Sequence, residues 1–454
     1  MMTKFKKICN FRAIFFLFLL VMLCIFGAVR AYSDKIYLVL LVFPIAYFLY
    51  CGIKKRFVLL GISLIILCGL SAYSYIKLDT FEKYPTIQGR VYIMATVETQ
   101  KDADNAYYME FRDIYYTADR ETPFQKVEGR ASMVVNFGEK FDYVERFDRV
   151  IFEARVMKNS FTHKNGGASF LATNNVYRFF AISGTDVEKI GKDSTPLENF
   201  RERNRKLLIE NLGEKNGNIC YSILYGDRAT VPTHELDSFK QSGVMHLFAV
   251  SGLHVAILVM AIAWLLSKFR VNDKFQFFLI SGFLLGYCVL CSFTPSVARA
   301  SVMSICLLLS KLFERKYDSL NALSLAGIFL LVFSPTMFFS VGFQLSFTAV
   351  FGIIFMSRIL GFVRFKSAFM QEFWNVTKLS LSAQIGVLPI MLFYFGCVTT
   401  WTMIANLFLI PLFTLFYTLL FVCNIIVMVI PSFGAILKAP GIIFDLFVYF
   451  NEMI

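Results

Sequence analysis

Again and again this chain runs apolar for about the 17–25 residues that cross a bilayer, and the loops between those runs alternate in charge. The runs cover residues 13–29, 36–53, 57–76, 246–266, 275–291, 295–312, 320–333, 337–356, 376–396, 401–430 and 434–450. Backbone in hydrocarbon must satisfy its own hydrogen bonds, so each run is expected to be a helix. Segments 268–274, 311–316 and 358–366 are basic, whereas those near 291–295, 334–336 and 397–400 carry no charge. With basic loops kept on the cytoplasmic side, every turn agrees with eleven spans, the N-terminus inside and the C-terminus outside. The run 401–430 is long and contains Pro411, which fits one kinked helix or two shorter segments. The basic start, MMTKFKKICNFR, precedes the first run without a clear small-residue cleavage site and reads as the lead-in to a retained helix. No internal repeat marks the inverted-repeat plan of many transporters.

One stretch breaks the pattern. Residues 77–217 lose hydrophobicity and show alternating β-rich runs at 86–98, 106–117, 127–136, 146–157 and 175–182. Five such strands suit a small OB-like barrel, on the outer side by the loop count. A helix is expected at 196–212, capped by Ser194 or Thr195 with Pro196 in its first turn. The less apolar segment 218–243 reads as amphipathic helices on the outer surface. Within it, Asp227 and Arg228 are either the solvated charges of a turn or a functional contact. The expected fold class is therefore a polytopic α-helical membrane protein with an inserted extracytoplasmic all-β domain. Its parts are three spans in 1–76, an OB-like domain in 77–195, a linker with surface helices in 196–245 and a transmembrane core in 246–454.

The net charge of +13 does not by itself indicate a nucleic-acid binder. Residues 77–217 hold 22 basic and 22 acidic residues, so the whole excess lies in the membrane part, where positive-inside loops explain it. The ten cysteines lie outside the long polar region, mostly in apolar runs, and read as small buried hydrophobes rather than disulfides. No Cys/His cluster has zinc spacing, and no phosphate-binding GxxxxGK[ST] loop is present, so neither a metal nor a nucleotide cofactor is expected.

Polar groups at membrane depth are costly and mark candidate sites. The stretch HLFAVSGLHVAIL, residues 246–258, opens the second apolar half and carries two of the four histidines. On one continuous helix His246, Ser251 and His254 would fall within an arc of roughly 140°, although the Ser-Gly step invites a break. Three readings stay open: the wall of a polar pathway, a Ser251 nucleophile with a histidine base as in an intramembrane serine hydrolase, or structural hydrogen bonds between helices. Arg299, about one turn inside its span in TPSVARASVM, either snorkels to the interface or offers a guanidinium to an anion at a pathway mouth. Gln344, Gln384 and Asn406 put amides into three further spans, as pathway lining or interhelical glue. The spans that carry these groups hold no acidic residue at depth, which disfavours a proton- or sodium-coupled carrier. In the β region Tyr92, Tyr107, Tyr115 and Tyr177 are candidates for base stacking, and Arg90, Arg130, Arg149 and Arg155 form either a local basic face or simply the solvated face of alternating strands.

The ordered segments ILYGDR, FKQSGVMHLFAVSGLHV, PSVARASVM, SPTMFFSVGFQLSFTAVFGI and LSAQIGVLP with IANLFLIPL resemble the ComEC-type DNA-uptake channel family of bacterial competence. The resemblance implies an inner-membrane channel that passes one strand of incoming DNA during natural transformation. It also implies a DNA receptor, a cytoplasmic motor and a nuclease as partners, with membrane lipid around it and room for a homo-oligomer. His246, Ser251, His254, Arg299, Gln344, Gln384 and Asn406 match motif positions and carry over as pathway or packing residues, with no catalytic role. Many members continue into a metallo-β-lactamase-like domain. No HxHxDH motif occurs in this sequence, so the expectation is either that any nuclease is a separate protein or that the gene is split or truncated. A transporter of another hydrophilic solute and the serine hydrolase remain as alternatives.

Overall fold

A computed structural model describes most of residues 90–156, 176–227 and 242–453, with a few positions elsewhere. The expected spans at 13–29, 36–53 and 57–76 lie almost wholly outside the described residues, as does Arg228. The chain divides into two compact units, one of Met1–Asp193 with Ser324–Phe343 and one of Ser194–Leu323 with Gln344–Ile454.

The first unit is built on a β domain of seven strands. They are β1 (Arg90–Ala103), β2 (Ala106–Thr117), β3 (Gln125–Val127), β4 (Arg130–Asn136), β5 (Asp148–Val156), β6 (Val176–Ala181) and β7 (Glu188–Lys192). Pairing runs β1-β2-β4-β6-β5 and returns to β1, so five strands close on themselves; β4–β6 is parallel and the other ring pairs antiparallel. Closure removes the exposed strand edges that would template aggregation. Alternation fills the interior with Val91, Ile93, Ala95 and Val97 of β1, Met109 and Phe111 of β2, and Val150, Phe152 and Ala154 of β5. Register shifts in β1 after Met94 and after Val97 bend the long strand around the ring. Two strands beyond the expected five, β3 and β7, are added at its margin. Phe339 packs against this β core from the 3₁₀ turn Pro335–Phe339.

The second unit is helical. Helix α1 (Pro196–Leu212) starts as expected: Thr195 Oγ1 accepts the Glu198 amide, the Glu198 carboxylate accepts the Thr195 amide, and Pro196 occupies the first turn. Helix α2 (Glu214–Tyr225) differs from expectation. It is buried continuously from Gly217 to Tyr225 rather than lying on a surface, and its polar Asn218 is covered too, its Oδ1 accepting from Arg205 Nε of α1 at 2.9 Å.

Eight further helices, of which α6 falls mostly in the first unit, correspond to the eight apolar runs: α3 (Gly252–Lys268), α4 (Asp273–Leu290), α5 (Pro295–Leu312), α6 (Ser319–Phe333), α7 (Val341–Ile359), α8 (Ala368–Phe395), α9 (Thr402–Val429) and α10 (Lys438–Met453). Six helical stretches in this region are long and apolar enough to cross a membrane, while α3 and α6 are shorter apolar helices. Despite Pro411, α9 is one helix. It lies at the centre of the core, where Phe413, Phe416, Tyr417 and Leu420 pack with Phe444 and Phe447 of α10. Cys220, Cys288 and Cys291 are free and buried, as small hydrophobes are.

Candidate functional site

The break at Ser251-Gly252 organises the polar groups of the helical core. His246 lies in the separate 3₁₀ turn Met245–Phe248, is exposed, and has its Nδ1 3.2 Å from Gly243 O. The helix begins only at Gly252, so the expected common face of His246, Ser251 and His254 does not form. Ser251 is instead the N-cap of α3. Its Oγ accepts the Leu253 amide at 3.2 Å, and its own amide donates to His254 Nδ1 at 3.1 Å. This is a capping box in which imidazole stands where glutamate usually does.

Because Nδ1 accepts an amide N–H, the imidazole is neutral with its proton on Nε2. Nε2 is buried without a hydrogen-bond partner. The ring stands nearly perpendicular to Phe413 and Tyr417, at centroid distances of 5.1 and 4.5 Å. Tyr417 continues the polar chain. Tyr287 Oη donates to Leu224 O at 2.8 Å, leaving the Tyr417 hydroxyl to donate to Tyr287 Oη at 3.0 Å. The two tyrosines tie α4 and α9 to the end of α2, and sequence reasoning missed both, since a tyrosine in an apolar run reads as packing.

Ser251 Oγ also lies 2.9 Å from His254 Nδ1, within reach of a nucleophile–base pair. Both atoms, however, are engaged by backbone amides of the cap. Replacing Ser251 by Ala is expected to lower stability by about 1 kcal/mol, with Ser251→Asn close to wild type. Thermal unfolding of the detergent-solubilised chain measures this, and equal midpoints for Ser251→Ala and wild type would remove the cap role.

Arg299 sits in the second turn of α5 and is 6% exposed. It does not snorkel. Its Nη1 donates to Ser346 O of α7 at 2.5 Å, and Nε is buried without a partner. Nη2 abuts the first residue of α3, where a Cβ on Gly252 would lie 2.7 Å from it. Among the described residues no carboxylate forms an ion pair with Arg299. The other expected residues are dispersed. Gln344 is half-buried in the first turn of α7, and Gln384 is half-buried in α8 with its Nε2 unpartnered. Asn406 donates to Ser380 Oγ at 3.1 Å, joining α9 to α8.

A second polar cluster was only half visible in the sequence. Asp227 is no solvated turn residue. Its carboxylate lies 3.5 Å from Arg201 Nη2, with side chains 9% and 12% exposed. Arg201 also donates to Ser292 Oγ at 3.2 Å and lies over the Tyr225 ring. Burial pushes the Tyr225 hydroxyl well above the usual phenol range, against the opposing pull of Arg201.

On the β domain, strand register brings four of the five expected residues to one face. Arg90 pairs with Arg155, Tyr92 with Glu153, and Thr96 with Arg149 across β1 and β5. Arg149 and Lys126 both lie over the Tyr115 ring, at 5.5 and 5.8 Å. Arg130 stands apart, bound to Glu98 at 2.9 Å. The side chains of Tyr107 and Tyr177 lie outside the described ones.

A family model described as Competence protein matches residues 223–454, which is half of the chain and takes in the break, the Arg299 helix and every helix that follows. The chain belongs to the competence protein family. It is similar to ComE operon protein 3 of Bacillus subtilis, with 35% identity over 196 residues, 43% of this chain and 24% of the relative. Recombination protein 2 of Haemophilus influenzae shares 24% identity over 248 residues, 52% of this chain and 30% of the relative. The matched stretches thus span about a quarter to a third of those two proteins. No solved structure matches significantly. Within the competence core, the family match covers Ser251, His254, Arg299, Gln344, Gln384 and Asn406 together with Tyr287 and Tyr417.

Proposed function

We propose that this chain forms the conduit through which single-stranded DNA crosses the bacterial plasma membrane in natural transformation. The observation that carries the reading is the competence-family match over the helical core. The break at Ser251, the buried Arg299 and the amides on α7 to α9 are the polar groups such a path would use. We read the closed five-strand ring, with its parallel β4–β6 pair, as an OB-like domain; such barrels bind single strands by stacking and charge. The face carrying Arg90, Tyr92, Tyr115, Arg149 and Arg155 suits that role.

In this reading the chain has eleven spans, an inside N-terminus and an extracytoplasmic β domain. Basic loops on one side support the orientation. So does Phe339, which joins the uncharged α6–α7 turn to the β core and so keeps both on one side. In this reading the helical core has no catalytic role, and a DNA receptor, a cytoplasmic motor and a nuclease would complete the machinery. Deletion of the gene should leave DNA bound at the cell surface and reduce nuclease-protected internal label to background. Undiminished internalisation in the deletion strain sinks the reading, and altered flux of another solute with normal DNA uptake would favour the transporter alternative.

A further inference from the structure

The geometry points to a phosphodiester seat at the contact between Arg299 and the N-terminal turn of α3, taking one backbone phosphate of the passing strand. The assignment rests on the conduit reading above and names the chemistry of one position along it.

Two positive features meet at this point. The first-turn amides of a helix have no intrahelical acceptor and give its N-terminus a partial positive charge. In α3 the Ser251 side chain takes the Leu253 and His254 amides, which leaves the first residue, Gly252, uncapped and with Arg299 Nη2 packed against it. Arg299 is nine-tenths buried, spends Nη1 on Ser346 O and holds Nε unpartnered. Ser346 Oγ is likewise buried and unpartnered. A guanidinium out of water beside a helix N-terminus is electrostatically unfavourable unless an anion joins them. No carboxylate does so among the described residues. A tetrahedral monoanion suits the arrangement, since planar guanidinium and backbone N–H groups are the usual phosphate donors. Gly252 follows from the same argument, because a side chain there would push Nη2 out of place.

Two sources supply a phosphodiester, a nucleic-acid strand and a phospholipid headgroup, and the test separates them. The full chain is purified in a maltoside detergent, which carries no phosphate, and titrated with fluorescein-labelled oligothymidylate over a range of salt. Arg299→Gln should weaken binding about tenfold and shrink the slope of log K against log salt by about 0.7, one phosphate's worth on a single strand. A merely structural Arg299 would not move that slope. Arg299→Lys should keep the slope and bind less tightly, since the charge stays and the fork is lost. Gly252→Ala retains helical backbone and displaces only the end of a flexible side chain, so it should fold, keep the slope and bind more weakly. It keeps the test alive if Arg299→Gln does not fold.

An oligonucleotide with one uncharged methylphosphonate linkage at each position in turn should lose affinity for the wild type at one position and lose none for Arg299→Gln. Wild-type affinity and slope in both Arg299→Gln and Gly252→Ala overturn the seat while leaving the conduit standing. Undiminished DNA uptake after gene deletion overturns both. Displacement of the oligonucleotide by phosphatidylglycerol from wild type alone assigns the seat to a lipid headgroup and overturns the strand.

Discussion

Leucine at Gly352 is expected to leave little folded protein. Gly352 of α7 and Gly386 of α8 face each other so closely that a Cβ on Gly352 would lie 2.7 Å from Gly386 Cα and strike the Ser382 carbonyl. A Cβ on Gly386 would meet Gly352 Cα at 2.9 Å and strike the Thr348 carbonyl. The obstacles are backbone, which cannot rotate away. Thr348 and Gly352, like Ser382 and Gly386, form a small-xxx-small pair, the pattern that lets helices touch in lipid where no hydrophobic force drives them together. Even the Ala variant should cost about 1–3 kcal/mol, and Leu more, because the whole crossing must open. Gly282→Leu is the control, since among the described residues nothing lies within 4 Å of a Cβ at this position on α4, and it should be neutral. Monodisperse yield and the thermal midpoint in detergent measure the effect. A Gly352→Leu protein as stable as the Gly282→Leu control would show that this crossing is not a packing contact.

Replacing Asp227 by Asn should cost about 3 kcal/mol, the low end of the range for breaking a buried pair because 3.5 Å is a long contact. What is lost is less the pair than the compensation of Arg201. Its guanidinium stays buried against Ser292 and the Tyr225 ring, with Nε already unpartnered. Arg201→Gln combined with Asp227→Asn should therefore recover part of the loss. A double variant as unstable as the sum of the two single variants would show that the charges do not interact. The pair joins α1, the end of α2 and the turn between α4 and α5, so its loss should loosen the approach to the Ser251 break rather than the β core.

The helices were legible because the bilayer allows so few alternatives. Eight apolar runs became eight helices, and the Thr195 cap and Pro196 start were readable from residue chemistry alone. Strands β1, β2, β5 and β6 lay close to their expected positions, since alternation over a buried face leaves a period of two. Strands β3 and β7 were missed because QKV and EKIGK are almost wholly exposed and carry no such pattern. The site was legible only as a list of residues. Treating 246–266 as one helix placed His246 beside His254; the Ser-Gly step instead starts the helix at Gly252 and turns Ser251 into its cap.

Residue order thus established which segments of residues 246–454 form apolar helices and which stretch stays polar, because hydrogen-bond satisfaction in an apolar surrounding is a local demand that each segment meets by itself. Helix packing established the rest. Arg299 reaches Ser346, 47 residues on, instead of water. Asp227 finds Arg201 instead of solvent, and two tyrosines on separate helices share a hydrogen bond. These relations depend on how helices cross and which faces they turn to one another, and the composition of any single helix does not specify either.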